Sequence, residues 1–153
     1  MKAKIVLALA LILVLLMASS ASVAAKGATV PFRAYFLGPC EFAGCDAAGN
    51  CTYDISGEGQ ATHLGEIDLV GQSLLSYGQG LPYPYHSDQT VTAANGDQLF
   101  IVVDGAWDNG FTGTFRITGG TGRFEGATGS GDFWAWYDGT LGGAYYDGTL
   151  TKP

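Results

Sequence analysis

The chain has 153 residues, 7 basic against 14 acidic side chains, a formal net charge of −7 and 24 glycines. So acidic a surface repels nucleic acid and anionic membranes, and we expect neither as a partner. After the first 25 residues no segment keeps a helical period, which excludes a helical bundle. Short apolar runs separated by glycine are instead typical of an antiparallel all-β domain.

Residues 1–25 have the pattern of a signal peptide. Two lysines precede an uninterrupted apolar run from Ile5 to Met17, which is shorter than the roughly 20 residues of a membrane span. A plausible cleavage site follows at Val23-Ala24-Ala25. We therefore expect a secreted or periplasmic protein with no membrane span after cleavage. Its single domain would occupy residues 26–153 and carry a net charge of −9, because Lys2 and Lys4 are removed.

Three cysteines cluster in the segment GPCEFAGCDAAGNC, at Cys40, Cys45 and Cys51. In an exported chain such clustering favours one local disulfide, and the odd number leaves one thiol free or paired between chains. The spacing leaves the pairing open. A structural zinc site needs a fourth ligand, and none lies nearby, so we expect no metal.

About eight strand-like runs follow along the chain. Asn95-Gly96 separates two of them and is a strong hairpin signal. The segment 74–87 contains Pro82 and Pro84, which cannot donate to a sheet, so we predict a long loop there. The predicted strands are 30–37, 51–59, 60–70, 87–94, 97–107, 110–119, 129–139 and 143–152.

The glycine-rich stretch ITGGTGRFEGATGSG, residues 117–131, does not match the motifs that cradle nucleotide phosphates. It neither opens a helix with G-x-G-x-x-G spacing nor contains Gly-Lys-Ser/Thr. We therefore expect no nucleotide cofactor, and no other cofactor is indicated. The glycines are better explained by turns and crowded backbone, where a side chain would clash or φ is positive.

This stretch resembles the GGTG-x-F segment of dirigent proteins and a similar segment of plant allene oxide cyclases. With GEGQATHLGEI (57–67) and TAANGDQLF (92–100), the chain resembles small exported proteins carrying the allene oxide cyclase barrel-like domain. The resemblance covers most of residues 52–152. It implies an eight-stranded antiparallel, calycin-like β-barrel, often trimeric in the plant members. In such a barrel we expect Phe124 to plug one end.

A closed barrel of eight strands can hold one small apolar ligand. On residues 133–137, either Phe133, Ala135 and Tyr137 point inward or Trp134 and Trp136 do, and the sequence leaves both phases open. The alternative is that the aromatic side chains simply fill the core. The candidate ligand-binding residues are Tyr53, Phe111, Phe115, Phe133, Trp134, Trp136 and Tyr145.

Candidates for acid–base chemistry are few. His63, with Glu58 nearby in sequence, is one candidate pair; a structural role for His63 is the alternative. The strand LFIVV (99–103) is apolar on both faces, so we expect a homo-oligomer, a dimer or a trimer. Two functions remain: a non-catalytic barrel that binds a small apolar ligand or self-assembles, and a cyclase, isomerase or dirigent-like protein that steers a reactive apolar intermediate.

Overall fold

The computed structural model describes residues 27–153, so the predicted signal peptide lies outside the described residues. The chain forms a closed antiparallel barrel of eight strands, each paired with its neighbours in sequence, and the last pairs with the first. The predicted all-β, eight-stranded barrel is therefore confirmed. The strands are β1 Thr29–Cys45, β2 Asn50–Ala61, β3 Gly65–Ser76, β4 Tyr83–Ala93, β5 Gln98–Trp107, β6 Phe111–Gly120, β7 Thr128–Tyr137 and β8 Leu141–Thr151.

Side-chain alternation places the core inside the barrel. On β5, Leu99, Ile101 and Val103 are buried, while Phe100, between them, is 37% exposed on the outside. This is the period of two that a strand imposes on its side chains. Within residues 27–153, no helix is long and apolar enough to cross a bilayer.

One end of the barrel is closed by the glycine-rich stretch. Gly122–Phe124 forms a single turn of 3₁₀ helix, and the Phe124 ring is fully buried, as the resemblance implied. Nε of Arg123 lies 3.3 Å from Oδ2 of Asp97, and its guanidinium carbon lies 4.8 Å from the centroid of the Phe124 ring. Gly122 has φ +57° and sits against the Asp97 carboxylate, so a side chain there would be both strained and obstructed.

The prediction of a long loop over residues 74–87 was wrong. β3 and β4 extend into this segment and leave only residues 77–82 between them. Pro84 is tolerated in β4 because it lies beyond Leu75–Tyr85, the last residue pair between β3 and β4. At that position its missing N–H removes no bond from the β3 ladder.

The local disulfide predicted from the cysteine cluster is present. It joins Cys45 to Cys51, where β1 ends and β2 begins. The third cysteine, Cys40, is free and half-buried. A disulfide such as Cys45–Cys51 is stable in an oxidising compartment.

Candidate functional site

A cavity of about 170 Å³ opens at the end of the barrel opposite Phe124. All eight strands contribute to its wall, because their inward-facing residues converge as the barrel closes. Ala135 and Ala144 leave the space that larger residues would fill. Its aromatic wall includes Phe36, Tyr53, Tyr85, Trp107, Phe111 and Phe133.

The aromatic rings of the wall hold one another in place. The Tyr85 and Phe133 rings are stacked, with centroids 5.9 Å apart and planes 7° apart, and Phe111 lies 4.9 Å from Tyr85. At the mouth, the Tyr53 and Tyr77 hydroxyl oxygens are 3.2 Å apart. Aromatic pairs at these distances add stability beyond the area they bury, so the wall is largely preformed.

A chain of polar side chains runs through the interior between β8, β4 and β3. The Tyr146 hydroxyl donates to Oε1 of Gln89 over 2.6 Å, and Nε2 of Gln89 donates to Oγ of Ser87 over 3.1 Å. Oγ of Ser73 lies 3.0 Å from Oγ of Ser87 and 3.0 Å from the Tyr85 hydroxyl. We call these five residues the interior polar chain. Ser73, Tyr85 and Gln89 also line the cavity.

The direction of the hydrogen bonds in the interior polar chain is fixed from its inner end. Ser87 donates its one proton to the backbone oxygen of Gln72 over 3.1 Å, so it accepts from both Ser73 and Gln89. Ser73 donates to Ser87, so Tyr85 must donate to Ser73. The Tyr85 oxygen therefore meets the cavity as an acceptor and suits a ligand that brings a hydroxyl or N–H donor.

The cavity wall is uncharged at neutral pH. No Asp, Glu, Lys, Arg or His is among the described residues that line it. Burial raises the pKa of the Tyr85 and Tyr146 hydroxyls and of the Cys40 thiol, so all three stay protonated. A neutral ligand fits these surroundings, because an ion would lose its hydration without gaining a counter-charge.

Four of the seven aromatic residues predicted to bind a ligand line the cavity: Tyr53, Phe111, Phe133 and Trp136. On β7, Phe133 and Ala135 point inward, which settles the phase of that strand. Phe115 lies in the core below the cavity, with its ring 5.5 Å from Tyr146. Trp134 and Tyr145 lie on the outside, 48% and 47% exposed.

His63 and Glu58 both lie away from the cavity. His63 occupies the turn between β2 and β3 at the closed end, with φ +68° and Nε2 3.1 Å from the Pro31 carbonyl oxygen. Glu58 is exposed on the outside of β2, paired across the strands with Asp68. The structure thus brings neither next to the aromatic wall.

Sequence reasoning missed the interior polar chain. The available signal was the alternation in β4, where Ser87 and Gln89 share a face with Val91 and Ala93. All four are buried. Polar residues in phase with a buried apolar face indicate an internal hydrogen-bonded group, because burial without partners is costly.

Comparisons with known proteins identify the fold. No family model matches the sequence, and no curated protein matches it. Among solved structures, the pterocarpan synthase dirigent protein PsPTS1 aligns with a TM-score of 0.62 and 12% identity, covering 83% of this chain and 97% of that protein. The pterocarpan synthase dirigent protein GePTS1 aligns with a TM-score of 0.61 and 13% identity, covering 84% and 87%. The chain therefore has a dirigent-like β-barrel.

Proposed function

We propose that this protein is an exported barrel that binds one small, neutral, largely apolar ring compound in its cavity. The observation that carries the proposal is a preformed aromatic cavity of about 170 Å³ with the interior polar chain ending at its wall. Export is supported by the disulfide between Cys45 and Cys51 and by the signal-like pattern of residues 1–25.

The size of the cavity limits the ligand to about one ring. A cavity of roughly 150 Å³ is sufficient for benzene, and this one measures about 170 Å³. Burying ~200 Å² of apolar ligand surface contributes roughly 5 kcal/mol. Part of that is offset by the lost freedom of the ligand, so we expect an affinity no better than about micromolar.

Polar selectivity comes from the interior polar chain. Because the Tyr85 oxygen faces the cavity as an acceptor, a ring with one hydroxyl should bind more tightly than the same ring without it. A hydrogen bond of this kind contributes about 1 kcal/mol net, or roughly fivefold in affinity. The preference should change little between about pH 5 and pH 8, because no histidine or carboxylate is among the described residues that line the cavity.

The test is a titration with p-cresol, toluene and biphenyl, followed by calorimetry and by the rise in Tm. We expect p-cresol to bind more tightly than toluene, and biphenyl to be excluded by size. Tyr85→Phe should remove the difference between p-cresol and toluene, while Phe100→Leu, a change on the outside of β5, should preserve it. If none of the three compounds raises Tm or releases heat, the proposal is wrong.

Cys40 provides a second readout of occupancy. It is the one free thiol among residues 27–153 and lines the cavity. A bound ring should slow its alkylation by a small thiol reagent, in proportion to the occupancy measured by calorimetry. Ala135→Leu narrows the same cavity and should weaken both the binding and the protection. Protection of Cys40 without measurable binding would contradict this assignment.

A second candidate function is the steering of a reactive apolar intermediate through cyclisation or coupling. It is favoured by the similarity to two pterocarpan synthase dirigent proteins. In this cavity such steering would depend on orienting the substrate, with Tyr85 as the polar contact. Turnover of unsaturated epoxide or quinone-type compounds that falls in Tyr85→Phe would support it. Turnover that instead disappears in His63→Ala or Glu58→Gln, with folding intact, would place the chemistry elsewhere.

A further inference from the structure

The asparagines of residues 27–153 all lie at hairpins between neighbouring strands. Asn50 begins β2, Asn95 lies between β4 and β5, and Asn109 lies between β5 and β6. Two of them precede a glycine, in Asn95-Gly96 and Asn109-Gly110. The backbone nitrogen of the next residue can attack an asparagine side-chain amide, and glycine leaves this approach open because it has no side chain. The surrounding hydrogen bonds therefore decide which asparagine reacts.

Asn95 is held on both sides of the bond that would form. Its side-chain Nδ2 donates to Oδ2 of Asp97 over 2.7 Å, so the amide is fixed. The Gly96 N–H, which carries the attacking nitrogen, donates to the Ala93 carbonyl oxygen over 2.8 Å. A further backbone bond, from the Ala93 N–H to the Asp97 oxygen over 2.9 Å, closes the same turn. The turn must open before Asn95 can react.

Asn50 is held in a similar way. Its side-chain Nδ2 donates to Oδ2 of Asp46 over 2.8 Å, and its backbone N–H donates to Oδ1 of the same carboxylate over 2.9 Å. The next residue is Cys51, which pairs with Cys45 in the β1–β2 ladder and in the disulfide. The nitrogen that would attack thus belongs to a bulkier residue tied into the sheet.

Asn109 lacks these constraints. It is exposed and has φ +59°, a left-handed conformation that asparagine adopts more readily than most residues. The Asp108 N–H donates to the Gly110 carbonyl oxygen over 3.0 Å and closes the turn. Within residues 27–153, neither the Gly110 N–H nor the Asn109 side-chain amide has a hydrogen-bond partner. Both the attacking nitrogen and the amide are therefore free.

We propose that Asn109 is a self-modification site that loses ammonia spontaneously. The Gly110 backbone nitrogen attacks the Asn109 side-chain amide carbon and forms a new C–N bond. The side-chain amide leaves as ammonia and takes the proton of the Gly110 N–H, which leaves a cyclic imide. Water then opens this ring at one of its two carbonyl carbons and gives either aspartate or isoaspartate. One water is consumed and one ammonia released, with no change of oxidation state.

The modification falls at the mouth of the cavity. Trp107 and Phe111 flank the turn, form the last register pair between β5 and β6, and line the cavity. Either product adds a carboxylate next to Asp108. Isoaspartate also lengthens the backbone of the turn by one methylene group, between the two strands that carry Trp107 and Phe111. The site therefore changes both the charge and the shape of the entrance to the cavity.

The test is peptide mapping by mass spectrometry after incubation of the folded protein in mildly alkaline buffer. Replacing the amide by a carboxyl group raises the peptide mass by about one unit. We expect this gain at Asn109 to be at least about tenfold faster than at Asn95, because two further hydrogen bonds must open at Asn95. Labelling with isoaspartate methyltransferase should show isoaspartate at position 109, which direct attack by water on the amide would not produce.

Urea provides the control for the role of the fold. Both sites contain the same Asn-Gly pair, so their rates should become similar once the hydrogen bonds are lost by unfolding. Asn109→Gln lengthens the side chain and should abolish the reaction there, while the rate at Asn95 stays unchanged. Equal rates at the two sites in the folded protein would overturn the proposal. It would also be overturned by aspartate as the single product at 109, or by rates that remain far apart in urea. The experiment needs no ligand, so its outcome is independent of the function of the cavity.

Discussion

Replacing Ser87 by alanine is the sharpest perturbation of the barrel interior. Ser87 is fully buried and takes part in three hydrogen bonds: it accepts from Ser73 and Gln89 and donates to the Gln72 backbone oxygen. The substitution removes one oxygen atom and hardly changes packing. Its effect is therefore a measurement of hydrogen bonding rather than of volume.

The magnitude follows from the groups that are left behind. Gln89 is 4% exposed and loses the acceptor of its amide N–H, which costs about 1–3 kcal/mol for a buried donor. Ser73 can instead donate to Tyr85 once the Tyr85 hydroxyl turns toward the cavity, so its loss is smaller, at most about 1 kcal/mol. We expect Ser87→Ala to lower the free energy of unfolding by about 1–4 kcal/mol.

Urea unfolding followed by tryptophan fluorescence measures this loss, with an unchanged m-value showing that the two folded states are comparable. Ser130→Ala is the control, because Ser130 is exposed on β7 and makes no side-chain hydrogen bond within the described residues. The reasoning fails if Ser87→Ala and Ser130→Ala differ by less than about 0.5 kcal/mol.

Three further outcomes are expected, each readable from unfolding curves. Phe124→Ala opens a hole in the closed end and should cost about 3–5 kcal/mol, whereas a loss below 1 kcal/mol would mean that the ring is not the plug. Reducing the Cys45–Cys51 bond frees a loop with a sequence separation of 6 and should cost about 2–3 kcal/mol, compared with a Cys45→Ser control that reduction leaves unchanged. Asp104, through its hydrogen bond, raises the pKa of His86, so His86 stabilises the fold at acid pH and this contribution is lost as pH rises through its folded pKa. The urea midpoint should thus fall from pH 6 to pH 9 by less in His86→Gln than in the wild type; equal slopes would contradict this.

The eight strands were predictable because each carries its own local signal. The β-branched and aromatic run LFIVV marks β5, and Asn95-Gly96 marks the hairpin before it. The extent of β1 was not predictable, since Gly38 and Pro39 interrupt its pattern. Pro39 is tolerated where the β1–β8 ladder ends, at its pair with Leu141, and β1 continues alone against β2 to Cys45. Only the pairing of distant strands fixes that length.

The cavity was less predictable than the barrel because it depends on contacts between distant strands. On β7 both phases are aromatic or apolar, and the sequence cannot say which faces the lumen. Tyr146 and Gln89 are 57 residues apart, and the local sequence of neither strand indicates that they form a hydrogen bond. The disulfide pairing was not predictable for the same reason, because it depends on strand register. The register of β1 against β2 places Cys45 opposite Cys51 and Cys40 opposite Ile55.

Trp136 shows how one strand serves both surfaces of the barrel wall. It shares the outward phase of Trp134, yet it also lines the cavity mouth. This is possible because its indole lies over Gly143 of β8, where a Cβ would come within 2.7 Å of the indole Nε1. A larger residue at 143 would displace the indole and change the mouth and the outside together. Substitutions at Trp136 therefore change the cavity mouth and the outer surface together. Ala135 lines the cavity and Trp134 lies on the outside, so a substitution at either residue changes one surface alone.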